Sequence, residues 1–440
     1  MMMDDAQAPA STSGSSDGDS ALPTFAPSQT TLKIANPREV LHVRKQTYKA
    51  WGKDRMSREQ YLQVARELEK TSAATPVNYC TWILVPRDNP SGRTIILSSC
   101  ETYGRASFAI RPRDNTTMDV DSYGIASVYT PEKHRKNGYA RHMLRLLHYV
   151  LAPTNCLPPF PADLYGPPPV IGPTRVRLGA ALFSVLYSDI GKDFYRSCGP
   201  TPQTSGWEVR DPWSVIWPVP EDFSVPTPPG FLQIPYDLLK GYLEVDRYKM
   251  RCDDFPGFAR RGTNGPSNWA AIGNNRTVHV TVQPDISNMD FLATRWKASL
   301  PGGAPRDMPW GVYHSPLTRT TPDTSYAVWV PEPHENSTLL ITRMRYENET
   351  VLESLLIAAM NQAKALGLKH VEVWNCLDRS RPVPLGGQWY ERQNHLPAIA
   401  WYGLDVPKSD VVWDYNERYV PALQSSSPQL HHSSILAIEY

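Results

Sequence analysis

The chain has 440 residues, with 45 Lys+Arg against 44 Asp+Glu and a formal net charge of +1. A surface so evenly charged argues against nucleic acid or an anionic membrane as the main partner, and no apolar run is long enough to span a bilayer. The length predicts two to three domains, with 13 Trp and 22 Tyr to fill their cores and 42 Pro to stiffen their connections.

Residues 1–30, rich in Ser, Asp, Gly and Pro with no Lys or Arg, read as a flexible tail rather than a secretory or transit signal. Asn36, Pro37 and Glu39 form a helix-start pattern that opens an amphipathic stretch to Lys49, and Ser57 with Gln60 opens another to Lys70. Strands are expected over 79–85, 94–98, 105–110 and 123–129. A helix over 138–152 follows, with Met143, Leu144, Leu147, Val150 and Leu151 at helical spacing. A Pro-rich loop over 153–173, a buried strand over 181–186 and a short helix ending at Gly199 complete this half.

Residues 201–235, again rich in Pro, read as a linker. Beyond it, strands are expected over 278–282, 326–330 and 339–346, then a helix over 351–366 closed by Gly367, and strands over 370–374 and 396–402. The order strand, strand, helix, strand thus occurs twice. The expected architecture is an α/β fold with mixed sheets, in two domains over 31–200 and 236–440. The six cysteines, far apart and without a CxxC pair, fit reduced thiols in the cytoplasm and no metal site.

The informative segment joins the strand at 123–129 to the helix at 138. It includes Val128, Tyr129, Thr130, Arg135, Lys136, Asn137, Gly138, Tyr139 and Ala140. Gly138 lets a ligand approach the backbone, the helix start offers unpaired N–H groups, and Arg135 and Lys136 add positive charge. Such a turn suits a pyrophosphate that is held but not transferred.

The run from Arg135 through Gly138 to Ala140 resembles motif A of the GNAT acyltransferase superfamily, and Tyr195 with Gly199 matches part of its second signature. Ser188 stands there where the superfamily usually has Asn, and Gly191 where it has Ala. Over most of the chain, Trp51-Gly52, Trp82-Ile83-Leu84, Ser98 to Glu101, Tyr123 to Ala140, Leu186 to Gly191 and Leu396 to Tyr402 resemble the fungal lysine N6-acetyltransferase family. The resemblance implies a GNAT fold followed by a second, degenerate GNAT-like domain, with acetyl-CoA as donor and the side-chain amine of free L-lysine as acceptor, in lysine degradation. It also implies that N–H groups near Val128 and Tyr129 hold the pantetheine and the thioester oxygen, and that Tyr195 is the general acid.

Gly124 occupies the position where some superfamily members carry a basic Glu, so Glu101 and Asp121 are the carboxylates expected to accept the amine's proton. In the second half, Glu347 and Glu349 flank a turn without glycine, which makes a second phosphate site improbable. That half is expected to shape the acceptor pocket, with Arg343 or Arg345 pairing with a substrate carboxylate and Trp310, Trp329 and Trp374 flanking its stem. A protein or another small amine as acceptor, or an acyl-CoA-binding module without catalysis, are the alternatives.

Overall fold

A computed structural model describes residues 24–416, apart from 90–93, 112–115, 257–276, 300–307, 316–324, 333–336, 376, 378, 380 and 405. Cys376 lies outside the described residues. The amino-terminal half comprises β1 (Thr30–Ile34), α1 (Pro37–Trp51), α2 (Arg58–Glu69), β2 (Tyr79–Pro86), β3 (Ser98–Ile110), β4 (Met118–Tyr129), α3 (Tyr139–Leu151), α4 (Ala162–Tyr165), β5 (Ala181–Ser188) and α5 (Asp193–Arg196). Both opening helices start as the residues dictate. Asn36 Oδ1 accepts from the Arg38 and Glu39 N–H groups while Glu39 returns to the Asn36 N–H, and Ser57 and Gln60 cap each other in the same way.

The segment 201–235 is more than a linker. It carries β6 (Glu208–Val209), β7 (Trp213–Pro218) and β8 (Phe231–Ile234). The remainder comprises α6 (Leu239–Lys249), β9 (Val278–Val282), α7 (Ile286–Ser299), β10 (Gly311–His314), β11 (Tyr326–Glu332), β12 (Thr338–Arg345), α8 (Glu349–Ala365), β13 (His370–Trp374), β14 (Gln388–Glu391), β15 (Leu396–Trp401) and β16 (Val411–Trp413). Prolines concentrated between β7 and β8 leave Trp213 to Trp217 free to donate to neighbouring strands.

Two mixed sheets result. The first runs β1-β2-β3-β4-β5-β15-β6, with β9 on the far part of β3 and β16 on β9; the second runs β14-β7-β13-β12-β11-β10-β8. Each contains the repeated unit: β3 and β4 antiparallel, α3 crossing over, and β5 parallel to β4; then β11 and β12 antiparallel, α8 crossing over, and β13 parallel to β12. The halves exchange strands. β15 pairs antiparallel with β5, from Leu396 opposite Ser188 to Trp401 opposite Phe183, and β7, from the expected linker, covers β13. The expected boundaries at 200 and 235 are therefore not boundaries of hydrogen bonding.

The end of the expected tail is also part of the fold. Phe25 packs on the core beneath α3, its N–H donates to Tyr139 Oη at 2.9 Å, and Thr30 opens β1. β3 and β4 are buried on both faces, and on one of them Cys100, Tyr123 and Ile125 join α3's Met143, Leu144 and Leu147 in one core. Across β5, Phe183, Val185 and Tyr187 face the opposite side and pack with Val280, Trp310, Trp374 and Trp413 of the second half.

Candidate active site

β4 and β5 separate before β4 ends. Their register runs from Asp121 opposite Ala181 to Ile125 opposite Leu186 and stops, while β4 continues through Ala126, Ser127, Val128 and Tyr129. On its other side β4 stays paired with β3, through an irregularity between Ser99 and Glu101. Ser127 marks the bend with φ of 55°, a left-handed conformation rare outside glycine. Residues 126–129 thus turn part of their backbone toward an opening instead of a neighbouring strand.

The loop beyond Tyr129 is held from behind. Ser98 Oγ donates to the Tyr129 carbonyl at 3.0 Å and lies 3.2 Å from Thr130 Oγ1, while Arg135 Nε donates to the Thr130 carbonyl at 3.3 Å. Asn137 turns its amide inward to the His134 and Arg135 carbonyls. Lys136 and Gly138 both adopt positive φ, at 66° and 71°, and Gly138 caps α3 without any side-chain hydrogen bond. No acceptor in the described chain takes the N–H groups of residues 136 to 141. Left-handed residues alternating with ordinary ones gather such groups into an anion-binding hollow, and the helix dipole adds to it. A Cβ at Gly138 would meet nothing within 4 Å, so the space in front of this backbone is open. These residues fit a pyrophosphate. Tyr139 contributes its N–H only, because its ring is buried in the core.

Glu101 lies on β3 opposite Ala126, beside the opening, and is only 5% exposed. Three hydroxyls donate to it: Tyr79 at 2.6 Å to Oε1, and Ser127 at 2.7 Å and Tyr103 at 3.3 Å to Oε2. Burial and the Glu101 charge push both phenols well above their ordinary range, so they remain donors. Arg44, itself paired with Glu69 at 2.8 Å, adds positive charge on the same side. A carboxylate held this way retains lone-pair capacity for one further donor.

Asp121 is elsewhere. It sits at the start of the shared β4–β5 register, roughly 23 Å along the strand from Val128, and pairs with Arg177 at 3.3 Å near solvent. Tyr195, on α5 just beyond β5, is 5% exposed and packs with Leu186, Tyr139 and Phe194. Cys100 and Cys198 are fully buried, and burial pushes the Cys100 thiol far up, which disqualifies it as a nucleophile.

Arg343 and Arg345 are not available to a substrate carboxylate. Asp246 of α6, itself buried, accepts from Arg343 Nε and from Arg345 Nε at 2.7 Å, and Asp254 takes Arg345 through Nη2 at 2.6 Å. Arg343 further stacks on Tyr415 at 4.5 Å. β12 and α6 are adjacent across this network, so the chain's own carboxylates have taken the place expected for the substrate's. Trp310, Trp329 and Trp374 are likewise core residues, each at most 3% exposed.

The second copy of the unit lacks the hollow. Its β12–β13 register also stops early, at Ile341 opposite Val373, but Thr342 and Arg343 beyond it are engaged by Met289 and Asp246. Asn348 caps α8 by accepting from the Val351 N–H at 3.1 Å, where Gly138 leaves α3 uncapped. Ser127, Ser98, Tyr79 and Tyr103 went unread in the sequence as site residues. Ser98 and Ser127 stood in segments that pointed here, but nothing in a run of Ala, Ser and Val announces a left-handed bend.

Two strand–strand–helix–strand units, the first opened between its parallel strands and uncapped at its crossover helix, define a GNAT fold followed by a degenerate GNAT-like copy, the fold of the acyl-CoA-dependent N-acetyltransferases. Residues 268–421 match the family model described as the LYC1 GNAT-like C-terminal domain. Among solved structures the chain is similar to a GCN5-related N-acetyltransferase from Kribbella flavida, with 11% identity over 84% of this chain and 71% of that one and a TM-score of 0.45. A probable N-acyltransferase from Enterococcus faecalis gives 11% identity over 85% and 73%, with a TM-score of 0.45. A tandem GNAT protein from the clavulanic acid biosynthesis pathway gives 11% over 85% and 98%, with a TM-score of 0.38. No curated protein matches the chain. Among the described residues, no helix is long and apolar enough to cross a membrane, and no cluster of metal-ligating side chains occurs.

Proposed function

We propose that the chain is an acetyl-CoA-dependent N-acetyltransferase of the cytoplasm whose acceptor is the side-chain amine of free L-lysine. The observation that carries this reading is the row of unpartnered N–H groups from residue 136 to 141 in front of an open Gly138, next to the gap between β4 and β5. Acetyl-CoA bound there supplies an acetyl thioester. Residues 136–141 bind the pyrophosphate, and backbone N–H groups near Val128 and Tyr129 orient the carbonyl and stabilise the oxyanion.

An ε-ammonium with an ordinary pKa near 10.4 must lose a proton before it attacks. Glu101 takes that proton, the free amine then bonds to the carbonyl carbon and sheds its second proton to solvent, and Tyr195 gives a proton to the thiolate as the C–S bond breaks. Solvent then takes the proton from Glu101 and returns one to Tyr195. The amino-terminal half carries the donor site, and the second half, through α7 and β15, closes the acceptor side. The resemblance of the sequence to the fungal lysine N6-acetyltransferase family is what favours lysine over other amines.

Incubation of the purified protein with acetyl-CoA and an equimolar amino-acid mixture, read by mass spectrometry, tests the proposal. Monoacetyl-lysine modified at the side chain is the expected product. Release of CoA with no acetylated amine would overturn it.

A further inference from the structure

The face of β3 that carries Glu101 also carries Tyr103 and Arg105, since alternate residues share a face. Arg105 is 5% exposed, yet among the described residues it makes no ion pair. Its Nε has no hydrogen-bond partner, and its sole hydrogen bond is a long one, from Nη2 to Asn288 Oδ1 at 3.5 Å. Asp285 is the carboxylate that acts on it, but from a distance, since Asp285 Oδ1 is occupied by Ser287 Oγ at 2.5 Å and the Asn288 N–H at 3.1 Å. A buried guanidinium left this bare costs several kcal/mol. Arg343, buried on β12, is by contrast paired with Asp246.

The residues opposite Arg105, Tyr103 and Glu101 on β4 are Ser122, Gly124 and Ala126, all small, and beyond Ser122 and Gly124 on β5 stand Phe183 and Val185. The Arg105 guanidinium lies 6.0 Å from the Tyr103 ring, placing it back along the strand toward Glu101. α7 covers the far side, with Phe291 edge-on to Tyr103 at 5.7 Å.

We infer that Arg105 binds the carboxylate of the acceptor while Glu101 receives its reacting amine, so that the stretch of β3 between them sets the length of acceptor that fits. Four strand residues separate their Cα atoms by roughly 14 Å. An extended lysine measures about 7 Å from Nζ to its carboxyl carbon, about half that separation, and the Arg105 side chain leaning back over Tyr103 takes up part of the rest. Tyr103 flanks the aliphatic stem. This inference rests on the acetyltransferase reading above, and it narrows the acceptor to an amine with a carboxylate at the far end of a stem of lysine's length.

The test compares lysine with pentane-1,5-diamine, the same stem without the carboxylate, on the full chain and on Arg105→Met. The parent should prefer lysine. In Arg105→Met, kcat/KM for lysine should fall about 30-fold or more, while kcat/KM for the diamine and KM for acetyl-CoA stay unchanged. Equal losses for both amines, or no loss for lysine, would overturn the inference. If Arg105→Met does not fold, lysinamide against lysine on the parent reads the same contact from the substrate side, and equal rates would count against it. Equilibrium dialysis of radiolabelled lysine separates the two claims. Arg105-dependent binding without turnover sinks the acetyltransferase reading and keeps the carboxylate site, whereas turnover with Arg105-independent binding does the reverse.

Discussion

His148 Nδ1 lies 3.0 Å from Tyr402 Oη, joining the crossover helix of the first unit to a residue 254 positions away in sequence. The other ring nitrogen, Nε2, donates to the Cys198 carbonyl at 2.9 Å, which makes Nδ1 the acceptor from Tyr402. Ser184 Oγ stands 2.7 Å from the same phenol and accepts from Trp207 Nε1 at 3.0 Å, and the imidazole stacks on Trp207 at 4.2 Å. Burial lowers the His148 pKa to about 3 although the Cys198 carbonyl opposes the shift.

The sign of the resulting pH dependence follows from proton uptake. Below about pH 6.5 the unfolded chain protonates this histidine, whereas the folded chain refuses until about pH 3, so folding stability declines as pH falls through that window, by roughly 4 kcal/mol at its end. Urea unfolding of the parent and of His148→Gln at successive pH values should show a shallower slope for the variant. Parallel slopes would mean that the histidine is not the group responsible.

Asp246 serves two guanidiniums, and although burial alone would raise its pKa, Arg343 and Arg345 hold it at about 2. Asp246→Asn removes the carboxylate that Arg343 and Arg345 share, leaving Arg345 with Asp254, and should cost about 3–5 kcal/mol, visible as a large drop in Tm. In the parent this ion network contributes stability above the ordinary carboxylate range and loses it only as pH falls toward 2. A variant that melts with the parent would reopen Arg343 and Arg345 as substrate ligands.

The repeated unit was legible because its signals are local: helical spacing from Met143 to Leu151, the Gly367 stop, β-branched and aromatic runs bounded by turns. The exchange of strands was not, because nothing within Trp213–Pro218 or Leu396–Trp401 states which sheet receives it. A strand buried on both faces has no preferred partner in its own sequence. The same limit hid the pairing of Arg343 with Asp246, which lie 97 residues apart. Glu101 was found because it stands where a preceding strand ends near the motif. Arg105 was not, since its lack of a counter-ion is a property of the packed interior.

The strand exchange makes truncation a test of the fold. A fragment ending at residue 205 loses β15 from β5 and β9 from β3, exposing strand edges and the apolar face of Phe183, Val185 and Tyr187. It should aggregate or elute as an expanded species by gel filtration. A compact, cooperatively melting monomer would show that the first sheet closes without the second half.

At the donor site, Gly138→Asp sets a negative charge before the open N–H row. Gly138→Asn keeps the size and neutrality, and both residues tolerate positive φ better than most. Calorimetry should give a steep loss of CoA affinity for Asp and a much smaller one for Asn, with melting temperatures close to each other. Equal affinities in the two variants would remove the pyrophosphate from this turn.

Tyr195→Phe tests the leaving-group proton. The ring packs with Leu186 and Phe194 in a closed core, so phenylalanine preserves the shape and the CoA site should be undisturbed. If the phenol protonates the departing thiolate, kcat should fall about 10²- to 10⁴-fold with CoA affinity retained. Glu101→Gln should lower kcat by a similar factor but for the opposite proton, so raising the pH, which supplies free amine from solution, should restore activity to Glu101→Gln and not to Tyr195→Phe. The pH–rate profiles of the two variants therefore distinguish base from acid, and coincident profiles would withdraw both assignments.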